Sequence, residues 1–142
     1  MIITEIKKDL FKVDKKYALA HCISSDCALG AGIARQFNKE FGSRRFLKSQ
    51  SKYSVGMCAY QHDVDRHIFH LITKEKYWQK PTYDSLSKSL EFLKNQIIEL
   101  NIQHLAIPKI GCGLDKLNWE RVKEIIINTF SKINIEILVC VQ

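Results

Sequence analysis

Apolar positions along this chain recur in two rhythms, one of strands and one of helices. Ile2 to Ile6 predicts a short strand. Ala18-Leu19-Ala20-His21 is nearly continuous in apolar character and predicts a strand buried on both faces. Ile33, Ala34, Phe37 and Phe41 fall on one face of a helix predicted over 33–41, with Gly42 placed to end it. Met57 to His62 and His67 to Thr73 read as neighbouring strands joined by a polar turn containing Asp63 and Asp65. Tyr83, Leu86, Leu90, Leu93, Ile97 and Leu100 follow three-and-four spacing, the strongest helical signal here, with Thr82 as N-cap and Asp84 in the first turn. His104 to Ile107 is a strand. Asn118 caps a further helix that buries Trp119, Val122, Ile126 and Phe130, and Ile135 to Val141 predicts a last, interior strand. Strands alternating with helices in the second half imply parallel pairing with helices on both faces, an α/β arrangement. No repeat, linker or low-complexity segment interrupts it, and 142 residues suit one domain spanning 1–142.

Two loops break the apolar pattern in the same way. In the first, Ser24 to Gly32 joins the Ala18 strand to the Ile33 helix and carries Gly30-Ala31-Gly32. In the second, Pro108-Lys109-Ile110-Gly111-Cys112-Gly113-Leu114-Asp115 joins the His104 strand to the Trp119 helix. Glycines between strand and helix let backbone N–H groups crowd around an anion, and the helix N-terminus adds partial positive charge. One Gly-x-Gly often marks only a tight turn. Two, both emerging at the carboxyl ends of strands, suit a diphosphate held between them. Neither is a P-loop, because no Gly-Lys-Ser/Thr follows, and neither is a full dinucleotide fingerprint.

Composition narrows the setting. Hydrophobic residues are 46% of the chain, too many for a disordered one. No apolar run approaches the roughly 20 residues that span a bilayer, and Met1 to Leu10 lacks an apolar signal core. The five cysteines, Cys22, Cys27, Cys58, Cys112 and Cys140, are odd in number and scattered, which predicts reduced thiols and an intracellular protein, cytoplasmic or nuclear according to the host. The net charge of +7 suits anionic ligands or simply a soluble surface. The basic residues spread over Lys7 to Lys16, Arg44 to Lys52 and Lys74 to Lys80 rather than forming one duplex-binding block.

Asp9-Leu10-Phe11, His21-Cys22-Ile23-Ser24-Ser25-Asp26-Cys27 with Gly30-Ala31-Gly32-Ile33-Ala34, Leu71-Ile72-Thr73-Lys74, Lys80-Pro81-Thr82-Tyr83, and Ile110 to Asp115 with Trp119-Glu120 stand in an order that resembles a macrodomain. Within that family the chain is similar to the terminal ADP-ribose protein glycohydrolase, or ALC1-like, branch. The resemblance implies a three-layer α/β/α domain with a mixed, mostly parallel sheet and a cleft for ADP-ribose across its top. It implies removal of ADP-ribose from ester-linked glutamate or aspartate of modified proteins, with ADP-ribosylated DNA as an alternative substrate. It also implies Asp9 on the adenine amino group, with Leu10 beside it. Gly30, Ala31, Gly32 and Ile33 would line the distal ribose and diphosphate, and Gly111, Cys112, Gly113 and Leu114 would form the second phosphate loop. His21, Ser24, Thr73, Pro108 and Ile110 complete the implied binding set, Lys74 is the implied nucleophile and Asp115 its acid/base partner. Relatives carry glycine before the adenine-binding aspartate. Here Lys8 stands there without glycine's backbone freedom.

The chemistry of those two residues agrees with the resemblance. The anomeric carbon of a ribose is an electrophile, and an unprotonated amine attacks it as catalytic lysines attack carbonyls. A free lysine titrates near about 10.4, so it must be desolvated or set near other cations to react. Lys74 ends an apolar strand and has Lys76 nearby, which opens both routes. Asp115 is placed to exchange protons with water or the sugar. Cys112 reads as a small side chain fitting a tight loop, since no histidine adjoins it in sequence. No His/Cys spacing matches a zinc pattern, so neither metal nor cofactor is expected. Tyr77 and Trp78 either stack on a base or ribose or pack under a loop. Three functions follow: a protein-directed hydrolase, a DNA-base ADP-ribosyl hydrolase, and a non-catalytic ADP-ribose reader. All three suit a monomer.

Overall fold

The computed structural model describes residues 1–50 and 52–142. Six strands, β1 (Ile2–Lys7), β2 (Ala18–Ser24), β3 (Cys58–Asp63), β4 (Arg66–Lys74), β5 (His104–Ile107) and β6 (Glu136–Val141), form one sheet in the order β1-β6-β5-β2-β4-β3. Five run parallel, and only β3 is antiparallel, paired to β4 through the turn at Val64. The expected mixed, mostly parallel sheet is therefore present. Four helices cover it: α1 (Gly32–Phe41), α2 (Ser43–Ser49), α3 (Tyr83–Leu100) and α4 (Trp119–Phe130).

Strand alternation sorts the core into two faces. Ala18 and Ala20 of β2, Phe69 and Leu71 of β4, Leu105 and Ile107 of β5, and Ile137 and Val139 of β6 pack under Leu86, Leu90, Leu93 and Ile97 of α3 and Val122, Ile126 and Phe130 of α4. The intervening residues Leu19, Ile68, Ala106 and Cys140 face Phe37 of α1 and the short 3-10 turn Leu10–Lys12. Burial on both faces explains why β2 reads as a continuous apolar run. The Thr82 hydroxyl accepts from the Ser85 amide and the Ser85 hydroxyl accepts from the Thr82 amide, a complete capping box that starts α3 where the sequence predicts. Gly42 adopts the left-handed conformation that ends α1.

α2 is absent from the sequence prediction. Its seven residues offer too little periodicity, since only Ser43 and Leu47 are buried.

Because the five parallel strands point the same way, Lys7, Ser24, Lys74, Ile107 and Val141 all end at one edge of the sheet. β2 and β5 are neighbours, yet β2 leads to α1 on one face and β5 leads to α4 on the other. Such a divergence opens a crevice at the strand ends.

Candidate active site

A cleft of about 860 Å³ occupies that crevice, within the range of small-molecule sites. Its walls are the β2–α1 loop, the loop after β5, the end of β4 and the end of β6. Four cationic side chains, Arg44, Lys74, Lys80 and Lys109, and one carboxylate, Asp115, line it, a balance that favours an anionic occupant.

The β2–α1 loop is held by Asp26. Its Oδ1 accepts from the Ser24 hydroxyl and, at 3.2 Å, from the Ala28 amide, and its Oδ2 accepts from the Tyr77 amide at 3.0 Å. Burial raises the Asp26 pKa, but these hydrogen bonds and nearby Lys76 outweigh it and hold the group below its ordinary value. Ser25 and Asp26 amides donate to the Lys74 and Glu75 carbonyls at 2.9 and 3.1 Å, so this loop and the segment after β4 move as one piece. Cys27 and Leu29, neither a glycine, sit at φ of 54° and 44°. Strain of that kind persists only where the surroundings enforce it. It delivers Gly32 and α1 to the cleft. Ala31 at the N-cap has no side chain able to cap, and the first intrahelical amide is Arg35, bonded to Ala31 O. The amides of Gly32, Ile33 and Ala34 therefore lack helical partners where the helix meets the cleft.

The second loop is built differently. Gly111 has φ of 72°, and a Cβ there would meet Leu117 Cδ1 at 2.9 Å, so glycine is required. The Cys112 amide donates to Lys109 O, Lys116 to Gly113 O and Leu117 to Gly111 O, which winds residues 109–117 into consecutive turns. This corrects the expectation that the loop runs straight onto a helix N-terminus in the site. The start of α4 lies outside the cleft, and Asn118 Oδ1 caps it by accepting from the Arg121 amide at 3.1 Å. Its partial charge is satisfied within the protein.

Lys74 and Asp115 meet at one end of this cleft. Lys74 Nζ donates to Asp115 Oδ1 at 2.7 Å, and the two side chains are only 14% and 15% exposed. Lys74 comes from the last position of β4, paired in register with Ser24 across a bulge. Asp115 comes from the loop that β5 delivers to the same edge.

Of the residues expected from the sequence, His21, Ser24, Gly30, Ala31, Gly32, Ile33, Lys74, Pro108, Ile110, Gly111, Cys112, Gly113, Leu114 and Asp115 line the cleft. Asp9, Leu10 and Thr73 do not. Asp9 Oδ1 accepts from the Phe11 amide at 2.9 Å and caps the 3-10 turn, outside the cleft that Cys140 and Val141 help to line. Its charge raises the Cys140 thiol pKa, where burial is the larger cause, so it lies close to Cys140. Leu10 is buried in the core, and Thr73, next to last in β4, is also buried. Lys8 keeps a negative φ and donates its amide to Val141 O at 2.9 Å, so the position tolerates lysine. Sequence reasoning missed Arg44, Cys140 and Val141 as cleft residues, because they arrive from distant elements with no motif of their own. Lys80, quoted only as part of a motif, also lines the cleft.

Cleft thiols are not activated. Burial pushes Cys112 up to about 11, and burial drives Cys22 still higher, helped by the Asp115 charge. Among the described residues no group of three or more His, Cys, Asp or Glu could hold a metal ion, and no helix is long and apolar enough to cross a membrane.

Comparison with known proteins agrees with this architecture. Residues 20–126 match the Macro domain family. The human protein named ADP-ribose glycohydrolase OARD1 is 45% identical over 137 residues, covering 96% of this chain and 90% of its own. The DNA ADP-ribosyl glycohydrolase of Mycobacterium tuberculosis is 28% identical over 141 residues, covering 93% of this chain and 40% of its own. The solved macrodomain of Thermus aquaticus DarG superposes with a TM-score of 0.87 at 21% identity, covering 99% of both chains. On the family match and on the extent of its likeness to the human protein, this chain belongs to the macrodomain family.

Proposed function

We propose that this protein is an ADP-ribosyl hydrolase that binds the ADP-ribose moiety in its cleft and releases it from ester-linked glutamate or aspartate of modified proteins. One observation carries the reading: a lysine and an aspartate 2.7 Å apart, mostly withdrawn from water, at the end of a cation-rich cleft. A protein that only read ADP-ribose would need neither. The name of the human relative, an ADP-ribose glycohydrolase, supports the same activity.

In this mechanism the diphosphate lies between the uncapped amides of α1 and the Gly111–Leu114 loop, which positions the distal ribose. Unprotonated Lys74 Nζ attacks the anomeric carbon. The bond from that carbon to the carboxyl oxygen of the acceptor breaks, and the carboxylate leaves with the electron pair. Asp115 takes a proton from the attacking nitrogen and returns it to the ring oxygen as the ring opens, leaving a Schiff base on Lys74. Water adds to that carbon while Asp115 accepts its proton. The carbon–nitrogen bond then breaks, the nitrogen recovers the proton, and the sugar closes as free ADP-ribose.

The test compares wild type, Lys74→Ala and Asp115→Ala for release of ADP-ribose from a glutamate-modified protein, with ADP-ribose affinity measured on each. Each variant should lose about 10²-fold or more in rate and still bind ADP-ribose. Tight binding by wild type with no release from protein or DNA would sink the reading in favour of a reader. Release from a DNA base is favoured by Tyr77 and Trp78, which stand 66% and 67% exposed beside the Lys74 end and offer faces for base stacking. Under that reading turnover of ADP-ribosylated single-stranded DNA exceeds that of modified protein and falls steeply with salt.

A further inference from the structure

Lys80 does something in this cleft that the hydrolase chemistry does not itself assign. Its Nζ donates to the main-chain carbonyl of Leu114 at 2.7 Å, across 34 residues of sequence. That carbonyl belongs to the peptide that leads into Asp115. Among the described residues Lys80 has no carboxylate partner, so its charge is directed at the rim of the second loop.

The two ends of this contact differ in firmness. On the Lys80 side, the Tyr77 amide is tied to Asp26, the Lys76 amide donates to Gln79 Oε1 at 2.8 Å, and Pro81 and the Thr82 cap of α3 follow directly. On the other side, residues 111–117 bond mainly to themselves, through Lys116 to Gly113 and Leu117 to Gly111. Among the described residues, the crest of that loop, Leu114 and Asp115, is joined to the segment running from the end of β4 to α3 by two side-chain hydrogen bonds: Lys74 to Asp115, and Lys80 to the Leu114 carbonyl. Leu114 is 65% exposed, so side-chain burial does little to hold it.

We infer that Lys80 is a positioning residue, which keeps Asp115 in place while the Lys74–Asp115 pair is open. The inference rests on the hydrolase reading above. During attack Lys74 turns its lone pair toward the anomeric carbon, so its contact with Asp115 opens and re-forms only when Asp115 takes the proton from the nitrogen. Lys80 then provides the remaining side-chain tie between the wall that carries the nucleophile and the loop that carries the acid/base. Misplacing a catalytic group by about 1 Å costs on the order of 10²-fold in rate, so a slackened rim slows turnover far more than it weakens nucleotide binding, which the amides at the start of α1 also support.

The experiment uses the full chain as wild type, Lys80→Met and Lys80→Arg. Lys80→Met removes the donor and keeps the length, and Lys80→Arg restores a donor. For each, kcat and KM are measured for ADP-ribose release from glutamate-modified protein, together with ADP-ribose affinity and amide hydrogen exchange of residues 111–117 in the ADP-ribose-bound state. The expected result is a drop in kcat of about 10- to 100-fold in Lys80→Met, with ADP-ribose affinity falling only about threefold as one of the four cleft cations is lost. Exchange across 111–117 should be faster, and Lys80→Arg should recover most of both losses. Unchanged kcat in Lys80→Met, an affinity loss as large as the rate loss, or no recovery in Lys80→Arg overturns the assignment. If wild type itself releases nothing, the hydrolase reading falls, and unchanged exchange across 111–117 in Lys80→Met would independently remove the tether.

Discussion

Acid should destabilise this protein in the pH window where ordinary histidines take up protons. His21 and His70 lie in the layer between β2, β4 and α1, with Nε2 of His21 2.6 Å from Nδ1 of His70. His70 Nε2 lies 2.9 Å from Gln61 Oε1, an oxygen that also accepts from the Ser43 hydroxyl at 2.7 Å. Gln61 Nε2 donates to the Phe41 carbonyl at 2.9 Å, which fixes the orientation of the amide. His70 Nε2 must therefore carry the proton, its Nδ1 accepts, and His21 Nε2 donates. Both rings are neutral, and the His21 ring stacks on Phe37 with centroids 3.7 Å apart. Burial pushes His70 down from 6.5 to about 3, and burial, with a smaller contribution from His70, lowers His21 as well. The sign follows directly. Below 6.5 the unfolded chain binds protons that the native state refuses, so stability is intact above 6.5 and drains away as pH falls toward 3. At pH 5 His70 alone has crossed about 1.5 units, worth about 2 kcal/mol, and the whole passage is worth about 5 kcal/mol. His21 adds to the loss in the same direction. Urea unfolding at pH 7.5, 6.5, 5.5 and 5.0 measures it, with His70→Gln as the variant that lacks one of the two protonation sites. A free energy flat between pH 7.5 and 5.0, or His21 or His70 imidazole resonances of the folded protein that titrate near 6.5, would refute the reasoning. Because His21 lines the cleft, ADP-ribose affinity should fall over the same window.

The two loops allow sharper contrasts. Gly111→Ala combines a φ of 72° with a Cβ 2.9 Å from Leu117, so it should cost about 1–3 kcal/mol in chemical denaturation and weaken ADP-ribose binding. Gly30→Ala places its Cβ where nothing lies within 4 Å and requires no positive φ; its stability should stay within about 0.5 kcal/mol of wild type. Asn118→Ala removes the α4 cap and should cost about 1 kcal/mol, while calorimetry should find ADP-ribose affinity within about twofold, since that helix start lies outside the cleft.

What could be read from the sequence tracks how local its cause is. α3 is legible because six apolar residues share one face and Thr82 and Ser85 close its start within four positions. β2 is legible because burial on both faces leaves a continuous apolar run. α2 is not, because two buried positions in seven residues carry no period. At the site, both glycine loops stand out as local departures from the apolar rhythm. The pairing of Lys74 with Asp115 is not local: 41 residues separate them, and only the parallel register of β4, β2 and β5 brings their ends to one edge. Lys80 has a legible motif but an illegible role, since its partner is a main-chain carbonyl, and no residue type at position 114 announces that. Arg44 reaches the cleft from α2, the helix the pattern did not show.

The two loops look alike in sequence yet present their amides by different means. Where α1 begins, Ala31 cannot cap, and the three residues whose amides lack helical partners line the cleft. Where α4 begins, Asn118 caps, and the helix start is turned away from the cleft. The second loop must therefore bind through its own peptide groups. Of those, the Cys112 amide is already spent on Lys109 O, whereas the Gly113 and Leu114 amides have no protein acceptor among the described residues. On the proposed reading one phosphate of a bound diphosphate lies over a helix N-terminus, with a dipole behind it, and the other over isolated loop amides whose orientation depends on how the loop is held. The second arrangement is the more deformable. It is also the one that carries Asp115, so the firmness of the rim governs proton transfer first, while the amides at the start of α1 hold an anion independently of it.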